Sequence, residues 1–345
     1  MKGISPWSLA AKAALSDQKL SHLLENKLGN YQFKVQLYND SLWIRCILAN
    51  QVIAFRAAYS PDGMFQLKNK RTIKDGISIN LSSTMGDINV KICLTNREYP
   101  ILRYTTTLTP TQDLHIPFWP RDIAFTTLNS NLPIGEVYVK QVGTRSGLLH
   151  FSIKNPELGS VLYLQNLTTL ADYNEQTETS AGETVGGLWP EIGFALPPTK
   201  DKPLQKKTAV VISDAIIAFD ENITKNEADL SKQYLNMLAA VYLELPKPNT
   251  NYTDWPTILD KGLHDLIDSP GCWSQVEGKH YFNAYISDYE TPPEIMVQLA
   301  VLLPLNDYVA WGGKKLDAMD QIRDGLSAFY DEKLKTIMRW LPAAA

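Results

Sequence analysis

Acidic and aromatic residues concentrate in two long stretches of the chain that show no clear helical or strand periodicity. The first stretch runs from Asn166 to Pro198 and contains Asp172, Trp189 and Glu191. Unpatterned stretches of this length inside a compact domain are uncommon and often functional. A carboxylate held against an apolar wall has a raised pKa and can act as a general acid near neutral pH. We therefore predict Glu191 and Asp172 as catalytic candidates; the alternative is that they only cap the loop or pair with Lys or Arg.

The second stretch runs from Cys272 to Glu294 and lies between two predicted helices. Asp288, Glu290 and Glu294 fall within seven residues and are interleaved with tyrosine. Asp288 and Glu290 belong to the loop itself, which makes them further catalytic candidates. Glu294 stands in the first turn of a predicted helix, where the helix dipole alone favours a carboxylate. A structural role is therefore preferred for Glu294.

These residue types suit the cleavage of a glycosidic bond. That reaction needs two carboxyl groups, one to protonate the leaving oxygen and one to activate water or attack the sugar. Aromatic faces offer flat apolar surface to a pyranose ring, and amide or guanidinium groups bind its hydroxyls. We accordingly predict an oligo- or polysaccharide as the substrate. Candidate substrate-binding residues are Trp189, Trp273, Tyr173, Tyr285, Tyr289, Gln275 and Arg121.

The rest of the sequence excludes several other classes of protein. Its 345 residues include 33 Lys and Arg against 37 Asp and Glu, with no basic run, which argues against nucleic-acid binding. The three cysteines and five histidines follow no metal-binding spacing, and no nucleotide-binding motif occurs, so no metal or cofactor is predicted. No apolar run reaches the ~20 residues of a membrane span. No signal peptide is recognised, so the expected location is cytoplasmic, or periplasmic or secreted where a leader was removed.

The elements that must position the candidate residues begin with a helix and many short strands. Residues 7–27 are predicted as an amphipathic helix. From Tyr31 the apolar period becomes two, and turn signals such as Pro61-Asp62-Gly63 separate the segments. Many short strands at this spacing favour an antiparallel sandwich over βαβ units.

The chain changes character near residue 220, where the apolar period becomes helical. Helices are predicted over residues 227–243, 255–267, 292–308 and 314–338. The predicted fold class is therefore α+β multidomain, an antiparallel β-sandwich followed by an all-α domain. The predicted domains are an N-terminal helix (1–30), a β-sandwich (31–220) with the acidic and aromatic loop 166–198, and an α-helical domain (221–345).

Three motifs give the chain a resemblance to a known superfamily. They are the segments Phe118-Trp119-Pro120-Arg121-Asp122, Gly187-Leu188-Trp189-Pro190-Glu191-Ile192-Gly193 and Ser287-Asp288-Tyr289-Glu290-Thr291-Pro292-Pro293-Glu294. In style and order they resemble the six-hairpin glycosidase superfamily, whose members place a β-sandwich before an (α/α)6 toroid. The resemblance implies a glycoside hydrolase, or a related phosphorylase or polysaccharide lyase. It does not assign catalytic roles residue by residue.

The helical part is short for a complete toroid. Residues 222–345 number 124, enough for about six helices, whereas twelve would need about 240 residues. We therefore expect either a half toroid completed by a partner chain, such as a homo-oligomer, or the N-terminal part of a longer protein. Two other functions stay open. They are a non-catalytic glycan-binding protein and a structural or assembly module that docks through its helical face.

Overall fold

The fold is α+β, with six α-helices and a large antiparallel sheet of eight strands among the described residues. The computed structural model describes residues 5–16, 22–49, 51–127, 133–141, 143, 145–155, 157–182, 184–224 and 226–341. Contacts divide the chain into two compact units, Met1–Pro246 (unit 1) and Lys247–Ala345 (unit 2). In the described parts of the chain, every helix is too short or too polar to cross a membrane.

Unit 1 contains two antiparallel sheets formed by the segments of period two. The smaller has five strands in the order β1-β2-β3-β4-β9. These strands are β1 (His22–Leu28), β2 (Tyr31–Tyr38), β3 (Ser41–Leu48), β4 (Gln51–Tyr59) and β9 (Ile123–Thr127).

The larger sheet of unit 1 has eight strands in the order β10-β11-β12-β15-β8-β7-β6-β5. Strands that follow one another in sequence mostly pair as hairpins, while β15 lies between β12 and β8. The strands are β5 (Gln66–Ile73), β6 (Gly76–Ser83), β7 (Gly86–Asn96), β8 (Pro100–Pro110), β10 (Ile134–Gln141), β11 (Ser146–Asn155), β12 (Glu157–Asn166) and β15 (Val210–Asp220).

One core joins the two sheets. Buried rings of the five-stranded sheet meet rings of the eight-stranded sheet, with Phe33 and Phe219 at 5.5 Å and Phe55 and Tyr163 at 6.5 Å between ring centroids. Because successive side chains of a strand point to opposite faces of its sheet, the outer face of each sheet must be covered by another element. Helix α1 (Pro6–Ser16) covers the smaller sheet, and its Leu15 packs with Trp43.

Helix α3 (Glu227–Glu244) covers the outer face of the larger sheet. Its buried Met237 and Val241 pack with Leu162 of β12 and Ile216 of β15. Because of this packing, the contacts divide the chain after Pro246, later than the boundary at 220/221 predicted from the change in periodicity.

The predicted helix over residues 7–27 is wrong in its second half. Helix α1 ends at Ser16, residues 17–21 lie outside the described part, and His22–Leu28 is strand β1. Leu20, Leu23 and Leu24 have helical spacing, but a turn at Gly29-Asn30 follows, with Gly29 at φ +57°. That turn pairs β1 with β2, so tertiary pairing outweighs the local pattern.

The predicted irregular loop 166–198 is also wrong, because most of it is regular structure. It contains a 3-10 helix (Leu167–Leu170), α2 (Ala171–Thr177) and the hairpin β13 (Val185–Leu188) and β14 (Glu191–Phe194). These elements are too short to show a period in sequence.

Unit 2 is a small α+β unit. Its helices are α4 (Trp255–Asp268), α5 (Ile295–Ala310) and α6 (Asp317–Leu326), and its hairpins are β16 (Trp273–Val276) with β17 (Lys279–Phe282) and β18 (Tyr330–Asp331) with β19 (Thr336–Ile337). Its core is built around Phe282, Leu302 and Ile322.

Two predictions for unit 2 have clear outcomes. The helix over 255–267 is confirmed, and Asp254 caps it by accepting a hydrogen bond from the Thr257 N–H. The helix over 314–338 is wrong beyond Leu326. There Asp331 accepts hydrogen bonds from the backbone N–H groups of Lys333 and Leu334 and forms a turn between β18 and β19.

Candidate functional site

A cavity of about 380 Å³ lies within unit 1 and is lined by two of the predicted site residues, Arg121 and Glu191. The first turn of α1, the outer face of the five-stranded sheet and the β13–β14 hairpin surround it. Its walls include Trp7, Trp43, Arg56, Phe118, Arg121 and Glu191. Small-molecule sites in proteins are typically clefts of about 300–1,000 Å³ with apolar walls and a few polar groups. The cavity meets both conditions.

Glu191 begins β14 and is bonded to the start of α1. Its Oε1 accepts hydrogen bonds from the Ser5 backbone N–H and from the Ser8 hydroxyl, both at 2.7 Å. Partial burial raises the pKa of this carboxyl, but the bonds from Ser5 and Ser8 and the charge of Arg121 outweigh it. The pKa is therefore lowered, and the expectation of a raised pKa is wrong because polar donors surround the carboxylate. Glu191 is ionised at neutral pH and is not a ready general acid.

Arg121 fixes the hairpin to the cavity wall. Its Nη1 donates to the carbonyl oxygens of Thr184 and Gly193 at 3.0 and 2.7 Å. Burial lowers the pKa of Arg121, opposed by nearby acidic groups, but a guanidinium stays protonated. The Phe118–Asp122 and Gly187–Gly193 segments, which sequence reasoning singled out separately, therefore meet at one site.

Arg56 and Trp43 are cavity residues that sequence reasoning missed. They are cross-strand partners on β4 and β3, and the Arg56 guanidinium carbon lies 4.5 Å from the centre of the Trp43 ring. Arg56 is only 8% exposed. One signal could have revealed it, since it is the only charged residue in the otherwise largely apolar strand Gln51–Tyr59.

Two aromatic rings stand exposed at the cavity. Trp7 of α1 is 42% exposed and Phe118 is 59% exposed, and their ring centroids lie 5.8 Å apart. Trp7 also contacts the ring of Tyr59 edge-on at 6.1 Å. The cavity thus combines accessible flat apolar surface with charged groups, which suits an amphipathic ligand such as a sugar.

The other candidates of unit 1 lie away from the cavity walls. Trp189 packs on Phe125 with ring centroids 4.5 Å apart, and its Nε1 donates to the Pro133 carbonyl. Tyr173 is fully buried, and its hydroxyl donates a hydrogen bond to the Pro197 carbonyl oxygen. Asp172 is exposed in the first turn of α2, where the helix dipole favours it. Each of these three side chains has a position that a role in stabilising the fold explains.

The acidic residues singled out in unit 2 have different surroundings. Asp288 accepts hydrogen bonds from the backbone N–H groups of Glu290 and Thr291 and from the Thr291 hydroxyl, which lower its pKa. Glu290 is exposed. Glu294 precedes α5 and pairs with Arg339 at 2.6 Å, in agreement with a structural role.

The aromatic and amide candidates of unit 2 differ in exposure. The Trp273 ring packs on Phe282 at 4.2 Å, and its Nε1 donates to backbone carbonyls of α4. Tyr285 and Tyr289 are exposed, as is Gln275 on β16. Across the described residues of both units, no group of three or more His, Cys, Asp and Glu side chains is placed to hold a metal ion.

Comparison of the chain with protein-family models, with curated proteins and with solved structures found no match.

Proposed function

We propose that this is a carbohydrate-active protein and that the cavity of unit 1 binds a ring of an oligo- or polysaccharide. The observation that carries the proposal is the composition of its walls. Exposed Trp7 and Phe118 can stack on a sugar face, and ionised Glu191 can accept hydrogen bonds from sugar hydroxyls.

The proposal extends to the architecture. We take the two packed sheets of unit 1 as the β-sandwich, and the helices that follow them as part of an (α/α)6 toroid. That order is the one the resemblance to the six-hairpin glycosidase superfamily implies. This resemblance makes a saccharide the class of ligand to test first.

Binding is favoured over hydrolysis at this cavity. Hydrolysis needs two carboxyl groups, one of them protonated. Among the described residues lining the cavity, Glu191 is the single carboxylate, and its pKa is lowered. The second candidate function is glycoside hydrolysis, in which ionised Glu191 would act as base or nucleophile.

The test is titration of the protein with a panel of oligosaccharides, followed by calorimetry and tryptophan fluorescence. Trp7→Ala removes an exposed stacking surface, so we expect binding at least about tenfold weaker, equivalent to about 1.4 kcal/mol. The matched control is Leu9→Ala, on the same helix and 56% exposed but not on the cavity wall, which leaves affinity unchanged. Equal affinity in both variants contradicts the proposal.

Glu191→Gln separates binding from hydrolysis. If the protein hydrolyses a glycosidic bond through Glu191, this variant loses turnover while binding is largely kept, and product NMR gives the anomeric configuration. Turnover that is unchanged removes Glu191 from the reaction. A wild type that binds saccharides without cleaving them identifies a binding protein.

A further inference from the structure

The cavity of unit 1 carries an excess of positive charge. Two arginines, Arg56 and Arg121, line it together with the start of α1. The carboxylate of Glu191 is already engaged by Ser5 and Ser8. A carboxylate at a helix N-terminus offsets the positive end of the helix dipole. The remaining charge of the wall is therefore positive.

Arg56 has unused hydrogen-bonding capacity in this wall. Its Nε and Nη1 are buried and form no hydrogen bond with the described residues. Burying a cation without a partner costs several kcal/mol, on the order of the penalty for other buried ions. Burial lowers the pKa of Arg56, opposed by the charges of Asp40 and Asp122, but the guanidinium stays protonated.

The nearest buried carboxylate has its own donors. Asp122 accepts hydrogen bonds from the hydroxyls of Tyr104 and Tyr163 at 2.6 Å and from the Phe194 N–H at 2.8 Å. These three bonds use both oxygens of the carboxylate. Asp122 acts on Arg56 through its charge, and Nε and Nη1 of Arg56 donate no hydrogen bond to it.

The Arg56 guanidinium is held in place before any ligand arrives. It lies over the Trp43 ring at 4.5 Å and over the Tyr59 ring at 5.1 Å. Cation–π stacking fixes its plane, and a fixed guanidinium fork matches two oxygens of a carboxylate or sulfate. The Trp43 Nε1 is a second buried donor on the cavity wall without an acceptor among the described residues.

We propose that the ligand of this cavity is an acidic saccharide, whose carboxylate or sulfate group binds to Arg56 while a sugar ring packs on Trp7 and Phe118. This inference rests on the proposed carbohydrate binding. It adds a chemical class to it, because a wall with donors and positive charge complements an oxyanion. Uronate carboxylates and sulfate esters share that chemistry, and the experiment separates them.

The first experiment uses the wild-type protein and three matched oligosaccharides. One carries a uronate, one is the same chain with the carboxyl reduced to the alcohol, and one is the neutral chain carrying a sulfate ester. Charge-assisted hydrogen bonds predict at least about tenfold tighter binding of one or both acidic chains. This preference falls as the salt concentration rises.

The outcomes separate the two proposals. Equal affinity for the acidic and neutral chains overturns the acidic-ligand inference and leaves carbohydrate binding standing. Binding of no saccharide at all overturns the proposed function itself. A tighter uronate complex assigns the carboxylate as the anion, and a tighter sulfate complex assigns the ester.

The second experiment assigns the preference to Arg56. Arg56→Met keeps a long apolar side chain over Trp43 but removes the charge, so we expect affinity for the acidic chain to fall to that of the neutral chain. Arg71→Met is the matched control, because Arg71 lies exposed on β5 and away from the cavity. A preference that survives in Arg56→Met overturns the role of Arg56. If that variant does not fold, the ratio of wild-type affinities for acidic and neutral chains, with its salt dependence, still tests the acidic-ligand inference.

Discussion

Glu191 and Asp288 lie in sequence stretches of the same kind, yet the two units use them differently. Both are carboxylates flanked by aromatic residues and proline. Asp288 accepts its hydrogen bonds from residues two and three positions away. Glu191 accepts from Ser5 and Ser8, at sequence separations of 186 and 183. Asp288 forms a turn, whereas Glu191 joins two distant segments of the chain around a cavity.

The role of a carboxylate therefore follows from its hydrogen-bond partners more than from its neighbours in sequence. An aspartate that bonds backbone N–H groups just after itself is a common turn-forming residue. A glutamate that accepts hydrogen bonds from residues far away in sequence lies where separate elements converge. Such positions are where ligand sites are built.

The largest effect that tests this comparison concerns Trp189, which stands beside Glu191 but packs on Phe125. We expect Trp189→Ala to lower the free energy of unfolding of unit 1 by about 3 kcal/mol, the usual cost of removing a large aromatic side chain. Urea unfolding followed by near-ultraviolet circular dichroism measures it. Leu188→Ala, at a 64% exposed neighbour, is the control with little change. A loss below about 1 kcal/mol for Trp189→Ala would mean that the ring is not a packing anchor.

A smaller effect is expected from Glu191→Ala, which removes both hydrogen bonds to the start of α1. Losses of helix caps typically cost about 1–2 kcal/mol. We also expect faster amide hydrogen exchange in α1. Glu191→Gln, which keeps an oxygen acceptor, should lie between the alanine variant and the wild type. If exchange in α1 is the same in all three proteins, Glu191 does not hold the helix.

The contribution of Glu191 should depend on pH in one direction. Its folded pKa lies below the ordinary value of 4.5. The ionised carboxylate therefore stabilises the folded state above pH 4.5, and this contribution is lost as the pH falls through the folded pKa. The stability difference between wild type and Glu191→Gln should be constant near neutral pH and shrink below about pH 4.5. A difference that grows on acidification would reverse the sign of the shift.

The smallest effect is expected for Asp288→Ala. Its hydrogen bonds stay within its own loop, so we expect faster amide exchange only at Glu290 and Thr291, with the global unfolding of unit 2 unchanged. Asp288→Asn keeps an acceptor and should retain most of the protection. Faster exchange throughout α5 would show that Asp288 organises more than its own turn.

The sequence predicts those elements that are long enough to show a clear helical or strand period. The long strands between Tyr31 and Asp220, except β5 and β9, and the helix 255–267 belong to this group. The short elements of 166–198, strand β1 and the end of the helix 314–338 do not, because turns and distant pairing decide them. Of the candidate site, Glu191 and Arg121 are recovered. Arg56 and Trp43 come together only through the register of β3 and β4, which a single sequence does not show.

We expect a saccharide to bind at the cavity beside Glu191 and not at the turn formed by Asp288. The most direct measurement is amide hydrogen exchange of the whole protein with and without a saturating concentration of the tightest-binding oligosaccharide. We expect slower exchange in residues 7–11 and 187–194 and no change in residues 285–294. Protection confined to residues 285–294, with none around the cavity, would contradict saccharide binding at the cavity.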